Sequence, residues 1–128
     1  MSFEPLEYLR HIYAEAEYLL EASVALKKDE FLRSNTLRRA FVRSLEVIGE
    51  AAKKVPQDFR NGHPDVEWKS MAGMRDRLIH GYFGIDYDLV WDVIKSKMPK
   101  LKGQLEQILK GATLPPESEG PGGTNPAS

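Results

Sequence analysis

The 128-residue chain contains no cysteine, which excludes disulfide bonds and zinc sites built from thiolates. It also lacks an excess of either charge, because 18 lysine and arginine residues are balanced by 19 aspartate and glutamate residues. This balance argues against a surface coated in basic residues for non-specific nucleic-acid binding, but is compatible with a local basic site. No apolar run approaches the roughly 20 residues that a membrane-spanning helix needs.

The amino-terminal stretch also differs from the apolar centre of a secretory signal peptide, because Glu4, Glu7 and Glu15 interrupt it. Together with the missing cysteines, this indicates a cytoplasmic protein without a membrane segment. About 41% of the residues are hydrophobic, and the length suits a single domain with its own core.

Apolar residues recur at steps of three and four along most of the chain, which is the spacing of one helix face. The clearest run has six such positions: Leu37, Phe41, Ser44, Ile48, Ala51 and Val55. Ser34, Asn35 or Thr36 can cap the start of this helix, and Pro56 marks its end. Because no strand-like alternation occurs, the sequence predicts an all-α fold, an antiparallel bundle of four to five helices.

The composition changes after residue 110. Residues 111–128 contain many glycines and prolines and one large apolar residue, Leu114. Such a segment cannot bury enough apolar surface to offset the entropy lost on ordering. We therefore expect a helical domain over residues 1–110 and a disordered tail over 111–128.

Another helical pattern, over residues 68–82, contains an unusual charged position. Trp68, Met71, Arg75, Leu78 and Tyr82 are spaced three, four, three and four, which predicts that Arg75 lies on an otherwise apolar face. A buried guanidinium group needs a carboxylate, a phosphate or a water-filled cleft beside it. The carboxylates nearest to it in sequence belong to Asp76, Asp86 and Asp88.

Structural roles are open to each residue at the end of this helix, which Gly81 and Gly84 are expected to terminate. Arg75 can pair with a carboxylate, His80 can bind the last helical carbonyl groups, and Tyr82 can be a core aromatic residue.

The same residues also suit RNA cleavage, because the 2′-hydroxyl group of RNA is a built-in nucleophile. Cleavage needs a base, an acid and positive charge near the phosphate. Histidine can act as base or acid near neutral pH, and arginine carries a planar fork of donors that matches phosphate oxygens. This chemistry requires no metal, in keeping with the lack of a tight carboxylate and histidine cluster in the sequence.

Helix geometry constrains such a site. On a straight helix, five residues at about 100° each would put His80 about 140° from Arg75, so the two would not share a face. Either the helix is distorted near Gly81, or a second copy in a symmetric dimer completes the site.

The pattern Arg75-x4-His80-x-Tyr82 resembles the R-x4-H-x-Y motif of the HepT-like toxins, within the HEPN superfamily of helical ribonucleases. The surrounding segments are also similar to this family: NTLRRAFVRSLEVIGEAAKKVP and PDVEWKSMAGMRDRLIHGYFGIDYDLVWDVIKSKMPKLK. A bare R-x4-H pattern recurs by chance, but within these segments it is far more specific. The similarity extends from about Leu6 to Leu109, and the tail lies outside it.

The resemblance implies a HEPN-like bundle that forms a homodimer with the motif helices at a shared cleft. It implies the toxin of a type VII toxin–antitoxin system, a metal-independent endoribonuclease without a cofactor that cleaves transfer RNA or messenger RNA. Arg75 and His80 would be catalytic, and Asp76 occupies the polar position that commonly follows the motif arginine. The partner would be a minimal nucleotidyltransferase antitoxin of the MntA type, which transfers AMP to the motif tyrosine, here Tyr82.

Two other interpretations stay open. The chain could be a non-catalytic nucleotide-binding or scaffold partner of a nucleotidyltransferase, or a helical adaptor in which Arg75 only forms a salt bridge. Further arginines could follow an RNA backbone, or could form a solvated face with local ion pairs. They are Arg38, Arg39, Arg43 and Arg77.

Overall fold

Eight helices make up most of the part of the chain that the computed structural model describes, residues 4–79 and 84–113. The four long helices are α1 (Glu4–Ser23), α3 (Asn35–Lys54), α7 (Tyr87–Ser96) and α8 (Met98–Thr113). The four short ones are α2 (Lys28–Arg33), α4 (Gln57–Asn61), α5 (Trp68–Ala72) and α6 (Met74–Leu78). The predicted all-α fold is therefore confirmed, with short helices in the connections between the long ones.

Side chains cap the first turns of α3 and α7. The Ser34 hydroxyl accepts a hydrogen bond from the Leu37 amide at 3.1 Å and so caps α3. The Asp86 carboxylate accepts one from the Leu89 amide at 3.0 Å and caps α7. At the other end of the domain, α8 includes residues 111–113, which were expected to belong to the tail. The remainder of the predicted tail, 114–128, lies outside the described residues.

The core lies where α1 packs along both α3 and α8, with α7 against α8. Residues without exposed surface come from all four of these helices, and include Leu9, Ile12, Leu45, Ile48, Ile94 and Leu105. Ser44, on the predicted apolar face of α3, is buried, and its hydroxyl donates to Glu15 Oε1 on α1 at 2.6 Å. The small polar residue is thus satisfied and lets the two helices approach closely. None of the helices in the described ranges is long and apolar enough to span a membrane.

The helix predicted over residues 68–82 is interrupted. Helix α5 ends at Ala72, and Gly73 has φ -89° and ψ 6°, outside helical geometry, before α6 begins. The buried residues of the two short helices are Trp68, Met71, Met74 and Leu78. Their spacing is three, three and four, so Met74 takes the inner position that was predicted for Arg75. The prediction of an arginine on the apolar face is therefore wrong.

Helices α5 and α6 rest on α3 at Gly49. A Cβ atom built on this glycine would lie 3.1 Å from the carbonyl oxygen of Met71 and 3.8 Å from Cβ of Met74. The glycine thus permits a close backbone approach between α3 and the segment that carries Arg75.

Replacing Gly49 with valine should lower the free energy of unfolding by about 1–3 kcal/mol, because a branched side chain would overpack against helix backbone. Urea unfolding of the purified protein measures this change. Gly103→Ala on α8 is a matched control, since nothing lies within 4 Å of the added Cβ there. It should stabilise the protein by about 0.5–1 kcal/mol through helix propensity. An unchanged or higher free energy of unfolding for Gly49→Val would contradict the close approach of α5 and α6 to α3.

Candidate active site

The motif histidine and tyrosine, His80 and Tyr82, lie outside the described residues, but both flanks of their segment are defined. Ile79 and Ile85 form an antiparallel backbone bridge. The Asp86 amide also donates to the carbonyl oxygen of Leu78 at 2.9 Å. The two ends of residues 80–84 are therefore held side by side at the junction of α6 and α7.

The bridge changes the expected course of the chain around the motif. Helix α6 ends at Leu78, and Ile79 has extended backbone with φ -106° and ψ 116°. Gly84, which was expected to terminate a helix, has φ +91° directly before the bridge residue Ile85, a conformation that favours glycine. Because the helix ends before position 80, the straight-helix angle between Arg75 and His80 does not apply. The chain leaves helical geometry at Ile79, which is earlier than the distortion expected near Gly81.

Arg75 lies on the surface in α6, and its side chain is 62% exposed. Its Nε atom is 3.5 Å from Oε2 of Glu46 on α3. This partner is none of the three carboxylates nearest in sequence, because Glu46 lies 29 positions earlier on another helix. Asp76 is also exposed and makes no ion pair with another described residue.

Glu46 is the residue of this site that the sequence did not reveal. Its side chain is 24% exposed, and its second oxygen, Oε1, lies 4.0 Å from Nη1 of Arg43. One carboxylate therefore lies between two arginines from different helices. The two arginines and Glu46, which we call the arginine–glutamate cluster, carry a net charge of +1 at neutral pH.

The other predicted RNA-binding arginines differ in their surroundings. Arg39 is exposed one helical turn before Arg43. Arg77 is exposed on α6, and its Nη1 donates to the Ser70 hydroxyl at 3.5 Å. Arg38 is half-buried with its guanidinium 4.8 Å from the ring centre of Tyr87. The structure thus brings Arg43 and Arg75 to the same carboxylate, while the guanidinium of Arg38 lies over an aromatic ring.

Comparisons with known proteins agree with the motif. Residues 12–108 match the family model described as ribonuclease HepT-like. A protein named “Putative RNase” from Caldanaerobacter subterraneus is 47% identical over 83% of this chain and 95% of its own length. A “Probable ribonuclease HepT” from Thermococcus cleftensis is 40% identical over 81% of this chain and 94% of its own length. No solved structure matches the chain significantly. The chain belongs to the HepT-like ribonuclease family.

Proposed function

We propose that this chain is the toxin of a toxin–antitoxin pair and acts as a metal-independent endoribonuclease on transfer RNA or messenger RNA. The observation that carries the proposal is the exposed guanidinium of Arg75, which occupies the motif position of a ribonuclease family and lies beside Arg43 through Glu46. Exposed guanidinium groups that lie this near to each other suit the binding of an RNA backbone, which is a polyanion.

In the proposed reaction, the Nη groups of Arg75 hold the scissile phosphate, since its Nε atom is turned towards Glu46. His80 transfers a proton as general base or general acid. The 2′-oxygen loses its proton and bonds to phosphorus, while the bond from phosphorus to the 5′-oxygen breaks and that oxygen gains a proton. The products are a 2′,3′-cyclic phosphate end and a 5′-hydroxyl end.

A homodimer would supply two Arg–His sets to one cleft, so that one histidine acts as the base and the other as the acid. Arg75, Asp76 and Arg77 on α6 are exposed in the single chain, which leaves this face available to a second copy. We further propose that a minimal nucleotidyltransferase neutralises the toxin by transferring AMP to Tyr82.

The chemistry of the RNA ends tests the proposed reaction. Purified protein incubated with a transfer RNA pool in excess EDTA should generate fragments with 2′,3′-cyclic phosphate and 5′-hydroxyl ends. End-specific ligation and mass spectrometry identify these groups, and Arg75→Ala serves as the inactive control. Fragments that end in a 3′-hydroxyl group, or cleavage that needs added Mg²⁺, would contradict the proposal. Nucleotide binding without any cleavage would favour the non-catalytic partner role.

A further inference from the structure

We propose that Glu46 is a positioning residue for Arg75, which holds one edge of the guanidinium group so that the other edge is presented to an RNA phosphate. This inference rests on the proposed ribonuclease function and assigns the residue that orients its arginine. Glu46 itself does not touch the reacting atoms in this scheme.

The first argument is the geometry of the carboxylate. Oε1 lies 4.0 Å from Nη1 of Arg43, and Oε2 lies 3.5 Å from Nε of Arg75. Each oxygen therefore faces a different arginine. The negative charge of the carboxylate holds the two guanidinium groups near each other, although their positive charges alone would repel.

The second argument is which donors the carboxylate leaves unused. A guanidinium group has five N–H donors, one on Nε and four on the two Nη atoms. The contact to Glu46 is made by Nε, and at 3.5 Å it is longer than the roughly 2.7–3.2 Å of an N–H···O hydrogen bond. It is an ion pair that orients the group. The Nη edge of Arg75 stays available for bidentate contact with a phosphate.

The third argument is the difference in exposure between the partners. Glu46 is 24% exposed and is fixed on α3 next to Leu45, which has no exposed surface, whereas Arg75 is 62% exposed. The carboxylate is thus the fixed partner and the guanidinium the one being held. Ion pairs at such exposure contribute little to stability. The effect of Glu46 is therefore expected in the rate of the reaction, with little change in folding.

The charge of Glu46 gives the proposal a distinctive signature. Glu46→Gln keeps the shape of the side chain but raises the net charge of the arginine–glutamate cluster from +1 to +2. RNA should bind as well as before or more tightly, because the added positive charge attracts phosphate. Catalysis should nevertheless slow, because the guanidinium is no longer oriented, and misplacement of this kind costs about 10- to 100-fold. The rate constant is expected to fall while the affinity for RNA is kept or increased.

The experiment compares Glu46→Gln with Glu50→Gln in the full-length protein. Glu50 is exposed on the next turn of α3 and pairs with Lys53 at 3.7 Å, so its substitution changes the charge equally and leaves the ion pair between Glu46 and Arg75 in place. Multiple-turnover kinetics on a transfer RNA substrate give kcat and KM, and binding to a 2′-O-methylated RNA of the same sequence gives Kd without cleavage. Glu46→Gln should lower kcat at least about 10-fold with KM and Kd unchanged or lower. Glu50→Gln should keep the wild-type kcat, and Glu46→Asp should restore part of the loss.

Several outcomes would overturn the inference. A kcat for Glu46→Gln equal to that of Glu50→Gln would show that Arg75 needs no such support. A rise in KM with a lower melting temperature would assign Glu46 to folding alone. If Arg75→Ala is inactive while Glu46→Gln is fully active, only the positioning role fails. If Arg75→Ala cleaves RNA as fast as the wild type, the proposed ribonuclease site itself fails.

Discussion

Purified His80→Ala protein should cleave RNA about 10²–10⁴-fold more slowly than the wild type, which is the usual contribution of a positioned acid–base group. Histidine can take up and release a proton near neutral pH, whereas the side chain of alanine can do neither. Most of the core of the described residues comes from α1, α3, α7 and α8, so the helical content and melting temperature should change little. Cleavage rates and circular dichroism measured on the same preparation separate the two effects.

His11→Ala is the matched control for this experiment. His11 is exposed on α1, and its replacement removes the same imidazole group from a helix outside the candidate site. Its cleavage rate should equal that of the wild type. Unchanged cleavage by His80→Ala, or an equal loss in His11→Ala, would remove His80 from the catalytic role.

Tyr82→Phe should stay folded and toxic in the presence of the proposed nucleotidyltransferase partner and ATP, conditions that are expected to silence the wild type. The substitution removes the phenolic oxygen that would accept AMP and keeps the ring. An AMP group two residues past His80 would place a bulky anion where the RNA phosphate binds. Arg75 could then pair with the attached phosphate in place of substrate, so that the block is both steric and electrostatic.

Mass spectrometry after incubation with partner and ATP checks this expectation. The wild-type peptide that contains Tyr82 should gain mass in whole AMP units, and the Tyr82→Phe peptide should not. Tyr87→Phe is a matched control, because the Tyr87 ring packs under Arg38 and against Phe31, and phenylalanine keeps both contacts. An adduct on Tyr87 or Tyr8 in the wild type would move the acceptor elsewhere.

The sequence predicted the all-α fold and a cap for α3 because the responsible signals are local. Ser34 and Asp86 each act on an amide three residues ahead, and the apolar face of α3 is visible as a simple repeat. These features depend on chain geometry over one turn, so they can be inferred without knowing what packs against the helix.

The interruption at Gly73 was harder to predict because two helical patterns fit the same stretch. One uses Arg75 as an inner position and the other uses Met74, and both satisfy steps of three and four. Packing against Gly49 of α3 selects the second pattern, since Met74 lies against that glycine. A glycine inside the repeat and a methionine beside the arginine were the available signals for an exposed Arg75.

The partner of Arg75 could not be predicted from the sequence. Glu46 follows the buried Leu45 on α3, and nothing in the pattern of that helix distinguishes it from the exposed Glu50. Only the packing of α6 on α3 brings its carboxylate to the arginine. Contacts between helices far apart in sequence depend on the crossing of those helices, which composition and periodicity do not specify.

The bridge between Ile79 and Ile85 also determines where the chain can tolerate added residues. Lengthening a closed loop costs little entropy, about 0.6 kcal/mol for each doubling, so the fold itself could accommodate an insertion between the bridge residues. An insertion before residue 80 would shift both motif side chains away from their anchor at Ile79. An insertion after residue 82 would leave each at its present number of peptide bonds from that anchor. If His80 and Tyr82 have the proposed roles, the first half of this short segment is expected to be fixed in length, whereas the second half can vary.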